Sequence, residues 1–196
     1  MSKSAKNYET FYAKDRQEWR AWLEQNHATA PGVWLVYYKK ESGKPRVEYA
    51  DAVEEALCFG WIDSKANTID GESSRQLFSP RKAKSPWSKP NKERIEKLMA
   101  QGLIAPAGLA KIEAAKQDGS WDALNAIDAL TIPPDLEAAL AENKAARPNF
   151  DAFPPSSKKI ILWWIESAKR PETRAKRIEE TVTLAAQNIK ANHYRQ

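Results

Sequence analysis

The chain has 196 residues, of which 29% are charged and 10% are aromatic, and its formal net charge is +5. This is long enough for one large domain, or for a compact domain with a helical appendage, and it indicates a soluble globular protein with a real core. The sequence has no stretch of roughly 18 apolar residues and no apolar N-terminal signal, which argues against a membrane span and favours a cytoplasmic protein. A single cysteine excludes an internal disulfide and two distant histidines argue against structural zinc, so neither a metal nor a cofactor is implied.

Helices and strands alternate in the N-terminal part of the chain. Asp15 followed by Glu18 is typical of a helix start, and the tryptophans after it fall on one helical face. The aromatic and β-branched run at 33–38 predicts a buried strand. A short helix should follow and end at Gly60, a residue suited to the left-handed conformation of a helix end.

A β-hairpin is predicted around Asp70 and Gly71, because this dipeptide favours a tight reversal between strands. The two-residue period of a strand places alternate residues on one face: Trp61, Asp63, Lys65, Asn67 and Ile69. Asp63 and Lys65 would then meet Arg75 across the hairpin. These charges form either the floor of a cleft for a small polar ligand or a cross-strand ion pair.

The rest of the chain is predicted to be helical, beginning with a helix that Ser88 can cap. Prolines punctuate the stretch 131–155, which is the best position for a domain boundary. We therefore expect an α+β fold with a small sheet that includes a hairpin and packs with helices. This body, residues 1–130, is followed by a helical C-terminal module, residues 131–196.

Two segments, 73–97 and 157–196, carry a strong excess of basic residues, so an anion would be drawn to them first. In the first segment, a helix N-terminus next to a tryptophan and several cations would suit a phosphate or carboxylate. The candidate ligand-binding residues are Asp63, Lys65, Arg75, Arg81, Trp87, Ser88 and Lys89. Alternatively, the cations only solvate a loop and a helix face, and Trp87 anchors the loop in the core.

The second basic segment supplies a secondary basic patch that consists of Lys169, Arg170, Arg174 and Arg177. Cations in the first turns of a helix oppose the helix dipole, so these residues serve a ligand, a partner or an acidic neighbour. Nucleic acid is the alternative ligand that both basic segments suggest. Trp163 is adjacent to the inward-facing Trp164, so it should be exposed and mark an interaction patch.

Three blocks of the sequence, residues 55–64, 79–109 and 153–182, resemble the YdeI/OmpD-associated family, also called bacteriocin-protection proteins. The resemblance extends over about residues 8–190. It implies a part in tolerance of bacteriocins or cationic antimicrobial peptides by association with an outer-membrane porin. It also implies that the C-terminal block occurs attached to different N-terminal domains, and it brings no catalytic residue or cofactor.

No motif in the sequence favours catalysis. Cys58 lies between apolar neighbours, which raise the pKa of a thiol, and the chain has no nucleophile elbow or phosphate-binding glycine loop. We therefore expect a binding or stress-tolerance factor whose partner is a small anionic ligand or another protein. The alternatives are a nucleic-acid-associated protein and an enzyme that acts on a small anionic substrate.

Overall fold

A computed structural model describes residues 8–193 and divides the chain into two compact units. Unit 1 spans residues 1–122 and unit 2 spans residues 123–196, so the division lies somewhat before the boundary expected after residue 130. Unit 1 combines a four-stranded mixed sheet with helices, and the described part of unit 2 is helical. The prediction of an α+β fold with a helical C-terminal region is confirmed.

The sheet of unit 1 has the strand order β1-β2-β4-β3, with β1 parallel to β2 and the other pairs antiparallel. Its strands are β1 (Glu9–Tyr12), β2 (Val33–Tyr38), β3 (Trp61–Thr68) and β4 (Ser73–Pro80). The predicted hairpin is β3–β4, and Asp70 accepts hydrogen bonds from the main chain of Glu72 and Ser73 in its turn. β1 was not predicted, because four residues carry too little periodicity.

The helices of unit 1 are α1 (Arg16–Asn26), α2 (Tyr49–Cys58), α3 (Lys89–Ala100) and α4 (Pro106–Gln117). The side chain of Asp15 accepts a hydrogen bond from the main-chain N–H of Glu18 at 2.8 Å, so the predicted cap of α1 is confirmed. Trp19 and Leu23 on the inner face of α1 are fully buried. They join a core cluster that includes Phe78 of the sheet.

A network of charged side chains joins α1 to α2. Glu55 is 2% exposed and accepts hydrogen bonds from Arg16 and Arg20, both on α1. Glu54 accepts from Arg16 and from Lys97 of α3. Since a buried carboxylate is stable only when it is paired, this network fixes the three helices relative to each other.

The two faces of the sheet differ. Val33, Leu35 and Phe78 point into the core cluster, whereas Trp34 and Leu77 lie on the opposite face, outside that cluster. We call this second face the outer face of the sheet.

A register shift between Asp63 and Ala66 interrupts the alternation in β3. Asp63 pairs with Phe78 and therefore lies on the core face, whereas Arg75 pairs with Val36 on the outer face. The prediction that strict alternation lets Asp63 and Arg75 meet across the hairpin is therefore wrong. The physical reason is a bulge, which shifts the residues after it to the other face.

Unit 2 contains five helices within its described part: α5 (Asn125–Asp128), α6 (Pro134–Glu142), α7 (Ala146–Ala152), α8 (Pro155–Glu166) and α9 (Pro171–Ala186). Ile161 and Ile165 of α8 and Ile178 of α9 belong to its own core cluster, as their helical spacing predicted. Trp163 is 41% exposed, as predicted, and Ile160 on the same face of α8 is 40% exposed.

Candidate functional site

The outer face of the sheet bears a concave site of about 590 Å³, which we call the outer-face cleft. Ile62 and Leu77 contribute its apolar floor. Its other main lining side chains are Trp34, Ser64, Lys65, Ser79, Lys82 and Ser85. Among residues 8–193, no acidic residue belongs to the lining, so the described part of the cleft is positively charged.

Neighbouring strands position these side chains. Trp34 of β2 and Leu77 of β4 are register partners and therefore share the outer face. The guanidinium of Arg75 lies 4.5 Å from the centre of the Trp34 ring, a cation–π contact that fixes the ring and brings a further cation close to the cleft. Lys65 and Lys82 are exposed, so both ammonium groups are able to move toward a ligand. Such a set of groups can bind a negatively charged group beside an apolar surface.

Arg81 and Trp87 are not on the surface of this cleft but buried behind it. Arg81 is 5% exposed and Trp87 is 1% exposed. The guanidinium stacks 3.7 Å from the centre of the Trp87 ring and donates a hydrogen bond to the carbonyl of Pro86 at 2.9 Å. Burial lowers the pKa of Arg81 to about 10, although the charge of Asp63 opposes this shift. Trp87 thus anchors the loop in the core, the second of the two roles considered for it, and its ring is not an open stacking platform.

Ser88 and Lys89 begin α3 and do not line the outer-face cleft. The Ser88 side chain makes no capping hydrogen bond, while its carbonyl accepts from the main-chain N–H groups of Asn91 and Lys92. The Lys89 ammonium lies 3.9 Å from the Glu93 carboxylate on the solvent side of the helix. Of the predicted residues, only Lys65 lines the cleft, and Arg75 lies beside it.

Asp63 belongs to a separate polar cluster on the core face. Its carboxylate accepts hydrogen bonds from the Tyr49 hydroxyl at 2.7 Å and from Gln76 at 3.2 Å. Burial and this hydrogen bond raise the pKa of Tyr49 to about 12. The adjoining cavity has about 250 Å³ and is also lined by Tyr37, whose buried hydroxyl has no hydrogen-bond partner among the described residues.

Two of the four residues of the secondary basic patch, Arg174 and Arg177, make contacts within unit 2. Arg174 binds both carboxylate oxygens of Asp135, at 2.6 and 3.0 Å, and also pairs with Glu166 at 2.9 Å. The hydrogen bonds with Asp135 are the largest cause of the raised pKa of Arg174. Arg177 donates hydrogen bonds to the carbonyl of Trp164 and to the hydroxyl of Ser167. Lys169 and Arg170 are exposed at the start of α9.

Unit 2 bears a groove between α6 and α9, which we call the α6–α9 groove, with a volume of about 680 Å³. Its floor is apolar and consists of Ala139, Ala175, Ile178 and Val182. Its charged rim consists of Asp135, Glu142, Glu179 and Arg174. Because Arg174 is neutralised by its own carboxylate partners, the groove is locally acidic in a chain that is basic overall.

The described residues offer few groups for nucleophilic or metal chemistry. Cys58 is buried, and burial raises the pKa of its thiol to about 11, as its apolar neighbours predicted. No group of three or more His, Cys, Asp or Glu within residues 8–193 is arranged to hold a metal ion. Likewise, no helix in this range is long and apolar enough to cross a membrane.

Sequence reasoning did not identify Trp34 and Lys82 as components of the cleft. Trp34 and Tyr38 alternate with core residues of β2, a signal that they face away from the core. No comparable signal marks the α6–α9 groove, since its residues come from two helices that are distant in sequence.

Two family models match the chain. Residues 129–188 match the family described as "Bacteriocin-protection, YdeI or OmpD-Associated", and residues 11–111 match a "Domain of unknown function (DUF8412)". A search of curated proteins and a search of solved structures gave no significant match. The resemblance expected over about residues 8–190 thus extends only over the C-terminal part, because the blocks at 55–64 and 79–109 lie within the other family model. The chain therefore belongs to the DUF8412 family through residues 11–111, and residues 129–188 of its C-terminal part match the model of the YdeI/OmpD-associated, bacteriocin-protection family.

Proposed function

We propose that the protein is a binding factor rather than an enzyme, and that unit 1 binds a small anionic molecule with an apolar or ring-shaped part in the outer-face cleft. The observation that carries this proposal is the composition of the described lining of the cleft, in which two lysines, three serines and a tryptophan occur without an acidic residue. The volume of about 590 Å³ is that of a site for a small organic molecule.

The charges of the cleft favour an anion over a neutral ligand. Lys65 lies on β3 and Lys82 lies in the loop after β4, and both line the cleft. A single negatively charged group of a ligand can therefore contact both lysines. The Ser85 hydroxyl donates a hydrogen bond to the carbonyl of Lys82 at 2.8 Å, which holds this part of the loop in place. Trp34 then offers apolar surface to the rest of the ligand.

Thermal unfolding of the full chain in the presence of paired compounds tests this proposal. Phenyl phosphate and adenosine monophosphate should raise the melting temperature more than phenol and adenosine, which lack the charge. Lys65→Met should weaken the binding of the charged compounds roughly tenfold, because a charge-assisted hydrogen bond is lost. Lys40→Met removes an equally exposed lysine of unit 1 outside the cleft and should have no effect. Equal stabilisation by charged and uncharged compounds, or equal losses in both variants, would refute the proposal.

The acidic α6–α9 groove favours a second candidate function for unit 2, the capture of a cationic amphipathic peptide. The family to which this unit belongs is described as bacteriocin protection, and a basic chain repels cationic peptides unless a local acidic site attracts them. Glu142 and Glu179 provide such charges beside the apolar floor of the groove. An apolar groove between helices is a common site for an amphipathic helix.

Two neighbouring glutamates of α9 give a matched test of peptide capture. Glu179 lines the groove and Glu180 does not, while both are exposed. For a short helical peptide of lysine and leucine, Glu179→Gln should lower the affinity roughly threefold at low salt, and Glu180→Gln should leave it unchanged. Fluorescence anisotropy measures both affinities. Equal affinity for the same peptide with glutamate in place of lysine would contradict a charge-selective groove.

A further inference from the structure

We propose that a third and smaller cavity of unit 1 binds a small inorganic anion, of the size of chloride or nitrate, as the counter-charge of Arg81. We call it the Arg81 cavity; it lies where the loop after β4 approaches α4. Its ligand differs in size from that of the outer-face cleft, so this inference does not depend on the proposed function.

Arg81 is a buried cation whose charge is not balanced by a contacting carboxylate among the described residues. Its side chain is among the most buried charged groups of the chain, with 5% of its surface exposed. Within the described residues it forms no ion pair, and its Nε–H group is buried without a hydrogen-bond partner. Its contacts are the carbonyls of Ser85 and Pro86 and the ring of Trp87. A buried charge that lacks both a counter-ion and a full set of hydrogen bonds is strongly unfavourable.

Nearby acidic groups do not remove this imbalance. Asp63 acts on Arg81 through space, and this interaction raises the pKa of Arg81 without reversing the effect of burial. Its carboxylate accepts hydrogen bonds from Tyr49 and Gln76 instead. Asp118 is the acidic residue of the cavity lining, and its oxygens accept from the main-chain N–H groups of Ser120 at 2.9 Å and Lys84 at 3.2 Å. The position for a counter-ion of Arg81 is therefore open.

The Arg81 cavity has a cationic lining and a small volume. Arg81 lines it together with Lys82, Lys84 and Lys111, so the four cations of the lining outnumber Asp118. The volume of about 60 Å³ is roughly a tenth of that of the outer-face cleft, which is about 590 Å³. A monatomic anion such as chloride, or a small trigonal-planar anion such as nitrate, suits a cavity of this size better than a nucleotide or another ring-bearing anion does.

The bound anion would stabilise the loop between β4 and α3. This loop is tied to the rest of unit 1 by hydrogen bonds from Arg81 N–H to the carbonyl of Gly60 at 2.9 Å and from Trp87 N–H to the carbonyl of Ser120 at 3.2 Å. Between these two points, Lys84 has a φ of 59°, an uncommon conformation for a residue with a side chain. An anion between Arg81 and Lys111 links the loop to α4 and offsets the repulsion among the lysines.

Thermal unfolding at constant ionic strength tests this inference, with sodium gluconate replaced stepwise by sodium chloride or sodium nitrate. The full chain should show a saturable rise in melting temperature of about 4 °C at tenfold excess over the dissociation constant. Lys111→Met should weaken this response severalfold, and Arg81→Met should abolish it. Lys40→Met changes an exposed lysine outside both the cavity and the outer-face cleft, and it should retain the response.

Line broadening of the ³⁵Cl nuclear magnetic resonance by the unmodified protein gives a second measurement, which does not depend on whether Arg81→Met folds. The site is supported if nitrate reverses the line broadening by displacing chloride from the full chain, and if the broadening is weaker in Lys111→Met. A melting temperature that follows ionic strength irrespective of the anion, or equal responses of Lys111→Met and Lys40→Met, would mean that the cavity holds water only and would overturn the inference.

Discussion

Replacing Glu55 by alanine should destabilise unit 1 far more than replacing Glu24, although both carboxylates pair with Arg20. The Glu55 side chain is 3% exposed and accepts hydrogen bonds from Arg16 Nε at 2.6 Å and from Arg20 Nη1 at 2.7 Å. The Glu24 side chain is 55% exposed and lies 3.2 Å from Arg20 Nε, one helical turn away on α1. The two glutamates thus share Arg20 as a partner, but Glu55 is buried and has Arg16 as a second partner.

The geometry sets the magnitude of the two effects. Removal of one partner from a fully buried ion pair costs about 3–5 kcal/mol. The side chains of Arg16 and Arg20 are 34% and 30% exposed, so water can solvate them in part after the loss of Glu55. We therefore expect Glu55→Ala to lower the free energy of unfolding by about 2–3 kcal/mol. Glu24→Ala should cost about 0.5 kcal/mol or less, as exposed pairs on one helix do.

Urea unfolding followed by tryptophan fluorescence measures this difference, since six of the eight tryptophans lie in unit 1. With a denaturant dependence of about 2 kcal/mol per molar urea, the midpoint of Glu55→Ala should fall by about 1–1.5 M. A shift no larger than that of Glu24→Ala would show that the network between α1 and α2 does not stabilise the fold. Combination with Arg20→Ala should give less than the sum of the two single effects, because both changes remove the same contact.

Two further changes test other contacts of unit 1. Burial alone would raise the pKa of Glu54, but hydrogen bonds from Lys97 and Arg16 outweigh it and lower the pKa below its ordinary value of 4.5. The stability that Glu54 contributes is therefore present above about pH 4.5 and is lost as the pH falls through the lower pKa of the folded state. Glu54→Gln should therefore make the urea midpoint decline less steeply below pH 5 than it does in the unchanged protein. Equally steep declines in the two proteins would contradict this. At Gly108, a Cβ atom would lie 2.2 Å from the carbonyl oxygen of Cys58, so Gly108→Ala should cost about 1–3 kcal/mol by forcing α4 away from α2. Gly71→Ala, with no atom within 4 Å, should change the urea midpoint very little, and equal effects at the two glycines would argue against this close approach.

The sequence by itself determined the local structure of this protein. The cap formed by Asp15, the strand 33–38, the hairpin turn at Asp70 and the inward residues of α8 all follow from interactions between residues a few positions apart. The similarity of the C-terminal part to the YdeI/OmpD-associated family was also detectable in the sequence, because that block is continuous.

Only the tertiary structure decided which charges reach solvent and which reach each other. A bulge in β3 moved Asp63 and Arg75 to opposite faces, and a one-residue shift of this kind has no clear signal in residue order. Arg174 pairs with Asp135 on another helix, and Arg81 is buried against Trp87 instead of lining the outer-face cleft. Long-range packing brings these groups together, and for that reason the outer-face cleft, the α6–α9 groove and the Arg81 cavity became visible only in the folded chain.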